Sequence, residues 1–168
     1  MQYAWRCSCC GKQYDTLPLS FAAEAPEYWY DIPAGERERR AVLTPDFCTL
    51  DDRYYFIGGC LELPILGTGE KFVFGVWVSL SEASMRRAEE LSRSNMSDDD
   101  SPAVGWLSTN IRSYPGALRL KAAVHSSSAN LRPIVELEPT DHPLSRDQRQ
   151  GITMERAQEI VAALMHRH

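Results

Sequence analysis

The stretch Phe72-Val73-Phe74-Gly75-Val76-Trp77-Val78 carries apolar residues on both faces of an extended chain. Successive side chains of a strand point to opposite sides. A strand of this composition is stable only where both sides are covered, so Phe72 to Val78 is expected to be central. Arg53 to Leu66 reads as a second strand, with Phe56, Ile57, Leu61 and Leu63 among its apolar residues. Gly58-Gly59 interrupts it and predicts a bulge or bend. Gly67-Thr68-Gly69-Glu70 between the two reads as a hairpin loop.

Two further segments alternate with period two. In Ala117 to Val124, Leu118, Leu120, Ala122 and Val124 face one way, while Arg119, Lys121 and His125 tend the other. In Leu131 to Glu138, Val135 and Leu137 face inward, with Arg132, Glu136 and Glu138 outward. The polar segment Ser126 to Asn130 joins them, which predicts an antiparallel hairpin with one wet face. Basic and acidic residues on that face can pair across the strands.

Two helices follow from capping and period. Ser79-Leu80-Ser81-Glu82 fits a capping box ahead of a stripe of Leu80, Ala83, Ala88 and Leu91. Thr153 is a fitting N-cap, Glu155 sits in the first turn, and Ala157, Ile160, Val161, Leu164 and Met165 form a stripe that must cover a sheet. Tyr3 to Tyr14 reads as two short strands around a tight cysteine turn. The expected fold is α+β: a mostly antiparallel sheet, a C-terminal amphipathic helix packed on it, and an N-terminal hairpin with a CxxC turn. A length of 168 residues with no internal repeat or linker fits a single domain over 1–168.

Charge and cysteine usage narrow the function classes. Eighteen Lys and Arg against 23 Asp and Glu give a net charge of -5, which counts against nucleic-acid binding. No apolar run approaches the roughly 20 residues that span a bilayer. Met1 to Gln13 lacks the basic flank and apolar stretch of a signal peptide, so a cytoplasmic protein with reduced thiols is expected. Five cysteines, an odd count, argue against a disulfide framework. Asn95 to Pro102, with Asp98-Asp99-Asp100, reads as a solvated acidic loop.

The most specific chemical signal is Cys7-Ser8-Cys9-Cys10-Gly11. Cysteines spaced C-x-x-C across a tight turn present two sulfurs on one side, as zinc requires. Four ligands are wanted, which makes Cys48 the expected third and His142 or His125 the fourth, with Cys60 as rival and Cys9 pointing away. The competing reading is a metal-free turn with Cys48 and Cys60 buried as small hydrophobes. A second signal is Glu136-Leu137-Glu138-Pro139-Thr140-Asp141-His142-Pro143. There His142 could act as a general base with Glu138 or Asp141. Adjacent residues seldom point at one another, and the same run fits a helix start. The chain has no phosphate-binding glycine loop, nucleophile elbow or H-E-x-x-H run.

Several of these stretches, with Gly59-Cys60-Leu61-Glu62-Leu63-Pro64, Gly75-Val76-Trp77-Val78-Ser79-Leu80-Ser81 and Gln148-Arg149-Gln150-Gly151-Ile152-Thr153, resemble a bacterial family known only as a domain of unknown function. The resemblance spans nearly the whole chain and implies no established activity. Its pattern also implies a histidine shortly after the cysteine turn, where this chain has Tyr14, and an arginine before Gly59, where it has Gly58. With no assembled catalytic motif, a small accessory or binding module is the leading reading, rather than an enzyme, and its cysteine turn is either metal-free or stabilised by a structural zinc. The alternatives are a hydrolase or transferase using His142, and an immunity-type protein that blocks a partner toxin through an acidic face.

Overall fold

The computed structural model describes residues 3–94, 101–126 and 132–166. Asp98-Asp99-Asp100 and most of the Ser126–Asn130 connection lie outside the described residues. The strands are β1 (Trp5–Arg6), β2 (Gln13–Tyr14), β3 (Ser20–Ala22), β4 (Ala41–Leu43), β5 (Phe47–Leu50), β6 (Tyr54–Pro64), β7 (Lys71–Leu80), β8 (Ala103–Leu107), β9 (Lys121–His125) and β10 (Ile134–Leu137). The helices are α1 (Arg37–Arg40), α2 (Glu82–Ser94), α3 (Pro143–Gln150) and α4 (Met154–Met165).

The two longest strands, β6 and β7, pair antiparallel without a break from Tyr55↔Leu80 to Pro64↔Lys71. The bulge expected at Gly58-Gly59 is therefore absent. Gly59 serves a different purpose, because a Cβ there would sit 2.7 Å from Val135 Cγ2 and 3.0 Å from the Pro133 carbonyl oxygen. Its bare backbone lets the segment entering β10 come close enough for the Cys60 N–H to donate to Pro133 O at 2.8 Å.

That approach closes the sheet. On its other edge β7 takes β3 in parallel at Ser20↔Val73 to Ala22↔Gly75, and β8 antiparallel at Val78↔Leu107 and Ser79↔Trp106. β8 pairs with β9 and β9 with β10, both antiparallel. β10 then returns to β6 in parallel at Ile134↔Cys60. The expected mostly antiparallel sheet is thus corrected to a mixed β-barrel in an α+β fold. The parallel contact is a single pair, and Gln148 of α3 satisfies the next backbone groups of β10. Its Oε1 accepts from Leu137 N–H and its Nε2 donates to Val135 O, both at 2.8 Å. β5 and β4 extend the rest of the β6 edge.

Period two on β6 and β7 sorts the core. Ile57, Leu61, Leu63, Phe72, Phe74, Val76 and Val78 join the main cluster. Phe56 and Trp77 face the other way, into a second cluster with Ile32, Cys48 and Leu50. The central position expected for Phe72 to Val78 is thus met, with both faces covered. Two local expectations shift. Ser79 and Leu80 belong to β7, and Ser81 is the residue whose hydroxyl accepts the Ser84 N–H, 3.1 Å away, at the start of α2. The strand expected from Ala117 begins only at Lys121, after a turn in which Arg119 takes φ 75°.

Thr153 caps α4 by accepting the Arg156 N–H at 3.1 Å, and Ala157, Ile160, Val161 and Ala162 are buried in the main core. Met165, expected in that stripe, is exposed, and Leu164 is half-buried. Ile160 is fully covered, so Ile160→Ala should cost about 2–5 kcal/mol through lost transfer energy and a residual cavity. Urea denaturation measures this, and a loss well under 1 kcal/mol would mean that α4 is not core.

Candidate metal centre

The cysteine turn is held by its own backbone. Trp5↔Tyr14 and Arg6↔Gln13 form the β1–β2 ladder. Cys7 N–H donates to Lys12 O at 2.9 Å and Gly11 N–H to Cys7 O at 2.8 Å. Closing so short a loop places Gly11 at φ 72°, where a side chain would be strained. Trp5 stacks on Tyr14 with ring centroids 5.3 Å apart, and its indole N–H donates to Thr16 O at 3.0 Å. Trp5 and Cys7 are buried in the main core, whereas Cys9 and Cys10 are exposed.

The turn also conditions its sulfurs. Burial acts to raise the Cys7 thiol. Hydrogen bonds from the backbone of Cys10 and Cys9, then from their side chains, outweigh it and bring Cys7 below the ordinary thiol value. Tyr14 lies beside the same group: burial first, then the neighbouring Cys10 and Cys7 sulfurs, push its phenol up.

The third member comes from the far end of the described chain. His166 follows α4, with its N–H donating to Ala162 O at 3.2 Å. Because α4 packs on the core that also holds Trp5 and Cys7, the ring reaches the cysteine turn, and His166 Nε2 lies 3.2 Å from Cys7 Sγ. Cys7 Sγ, Cys10 Sγ and a His166 ring nitrogen all lie within 4.8 Å of one another. Tetrahedral zinc with the usual bond lengths sets its ligand atoms about 3.5–3.8 Å apart. The three side chains are positioned to hold a metal ion with adjustments of an ångström or so.

The other sequence-derived ligands are placed elsewhere. Cys48 is buried in the second cluster with Phe56 and Trp77, and burial raises its thiol to about 11. Cys60 is half-buried on β6 opposite Gly75, and burial raises it too, against the lowering influence of Arg132. His125 Nε2 lies 3.1 Å from Glu136 Oε2, an across-strand pair of the kind expected on the wet face. His142 is the N-cap of α3: its Nδ1 accepts the Leu144 N–H at 3.1 Å and its Nε2 lies 3.0 Å from Pro115 O. Acceptance at Nδ1 puts the proton of the neutral ring on Nε2, where it donates to Pro115. Both ring nitrogens are thereby spent on backbone groups, with Pro143 at the first helical position and Glu138 and Asp141 exposed. The structure thus joins Cys7 and Cys10 to His166, and not to Cys48 or His142.

The family model for uncharacterized proteins conserved in bacteria (DUF2199) matches residues 6–152. The chain belongs to this family. No curated protein and no solved structure matches it significantly. Cys7 and Cys10 fall inside the matched region and His166 beyond it. No helix among the described residues is long and apolar enough to cross a membrane.

Thiol reactivity follows from the placement. In the metal-free protein an alkylating reagent should modify exposed Cys9 and Cys10 first and reach Cys48 only on unfolding. Peptide mass mapping over time checks this order. Labelling of Cys48 as fast as Cys9 would contradict the packing of the second cluster.

Proposed function

We propose that this member of the family is a zinc-binding accessory module. One zinc ion is held by Cys7, Cys10 and His166 and clips the first hairpin to the last helix. The observation that carries the reading is the convergence of these three ligand atoms, with Cys7 and His166 separated by 159 positions in sequence. Two thiolates and an imidazole form a soft donor set that favours zinc among the available divalent cations. Among the described residues three side chains converge, so a fourth donor, a water or a further side chain, would complete the tetrahedron. Five free cysteines fit a reducing, cytoplasmic setting. The commitment of both His142 ring nitrogens to backbone groups favours this module over a hydrolase or transferase built on that histidine.

Metal analysis after purification in zinc should find one ion per chain. Structural zinc sites bind with about 10–16 kcal/mol shared over four ligands, roughly 3 kcal/mol each. Cys10→Ser or His166→Ala should therefore weaken zinc about a hundredfold in competition with a chromophoric chelator. Cys48→Ala should leave the affinity unchanged. A wild-type protein without zinc would sink the proposal, as would zinc retained at full affinity by both Cys10→Ser and His166→Ala.

Zinc should also stabilise the fold, because it binds the native arrangement and not the unfolded chain. At a free concentration a thousand times its dissociation constant, the gain is about 4 kcal/mol. Thermal unfolding with and without a chelator measures it. An unchanged melting temperature in a protein shown to hold zinc would mean that the ion does not tie the hairpin to the helix.

A further inference from the structure

The same turn has the geometry of a two-step thiol oxidation site. Cys10 is exposed, and Cys7 is buried with its sulfur within 4.8 Å of the Cys10 sulfur. An exposed thiol meets a small oxidant first, while a buried neighbour meets what forms beside it. Closing a disulfide needs the sulfurs to come to about 2.05 Å, a short approach from sulfurs that already stand within 4.8 Å of each other. Cys9 is also exposed, but it stands outside the group of three, and a Cys7–Cys9 link would close a smaller, more strained ring.

We propose that Cys7 and Cys10 form a peroxide-sensitive disulfide that releases the metal and frees His166. The Cys10 thiol gives up its proton and its sulfur attacks one oxygen of hydrogen peroxide. The S–O bond forms, the O–O bond breaks, and the departing hydroxide takes a proton to become water. The Cys7 thiolate then attacks the Cys10 sulfur of the sulfenic acid. The S–S bond forms, the S–O bond breaks, and a second water leaves. Two thiols lose two electrons and two protons in all, and one peroxide becomes two waters. The disulfide step stands on the sulfur geometry alone, while metal release rests on the zinc reading.

The test treats the full chain, metal-free and zinc-loaded, with hydrogen peroxide. Non-reducing peptide mapping and a zinc-sensitive dye give the two readouts. Both forms should yield a Cys7–Cys10 disulfide, unchanged in a Cys9→Ser variant. The loaded form should release one zinc per disulfide, and dithiothreitol should restore binding. A disulfide that includes Cys9, or Cys10 driven to sulfinic acid with Cys7 still a thiol, would overturn the proposal. Zinc binding with no disulfide under peroxide defeats this proposal and leaves the zinc reading standing. A disulfide in a protein that never binds zinc does the reverse for the two claims.

Discussion

The unbroken ladder between β6 and β7 sets the position of everything else. Its ten residue pairs hold two strands whose apolar residues face both ways. Burying one face only would leave either Phe72, Phe74, Val76 and Val78 or Trp77 and Phe56 in water. Each fully buried side chain of this size contributes about 1.5–3 kcal/mol, so the chain must build two layers. It closes β8, β9 and β10 over one side and folds β5 with the Ile32 segment over the other. The small second cluster is what commits Cys48 to packing and removes it from metal chemistry.

Barrel closure depends on a narrower constraint. β10 meets β6 through one parallel pair, too little to hold a strand by ladder bonds alone. Two devices complete it. Gly59 allows backbone contact at Pro133, and Gln148 acts as a surrogate strand for Leu137 and Val135. α3 must then lie along the edge of β10, and its start is fixed by His142. A histidine that caps a helix through Nδ1 and binds a turn through Nε2 joins two segments, and it is fully used in doing so.

These features explain what was legible in the sequence. Local signals with one physical cause read directly: the cysteine hairpin, the Gly67 to Glu70 loop, the wet-faced pairing of β9 with β10, and the Thr153 cap. The closed barrel was not legible, because a single parallel pair leaves no periodic trace and Gly59 reads equally well as a bulge. The third member of the metal-capable group, His166, escaped for a different reason. Cys48 and His142 were favoured by residue type, yet each is consumed by a local role invisible in the sequence. His166 did carry a signal. Four residues after buried Ala162, it continues one helical face past the end of the apolar stripe, so a stripe that packs on the core delivers it there.

The cysteine hairpin itself has little reason to stand alone. β1 and β2 share two residue pairs, and a lone two-stranded hairpin is marginal in water at any length. Burial of Trp5 and Cys7 anchors its inner side, while Cys9 and Cys10 remain in solvent. The Cys7–His166 contact adds a polar link, but one hydrogen bond to sulfur is a weak tie between segments so far apart in sequence. A metal ion held by the three side chains would change that balance. It would replace a weak contact by strong bonds that form only when the hairpin and α4 are both in place, so their ordering would become a single event. The fold around the site has the properties such a link requires. One face of α4 is buried in the main core, the turn is preset by Gly11, and His166 follows directly on that helix.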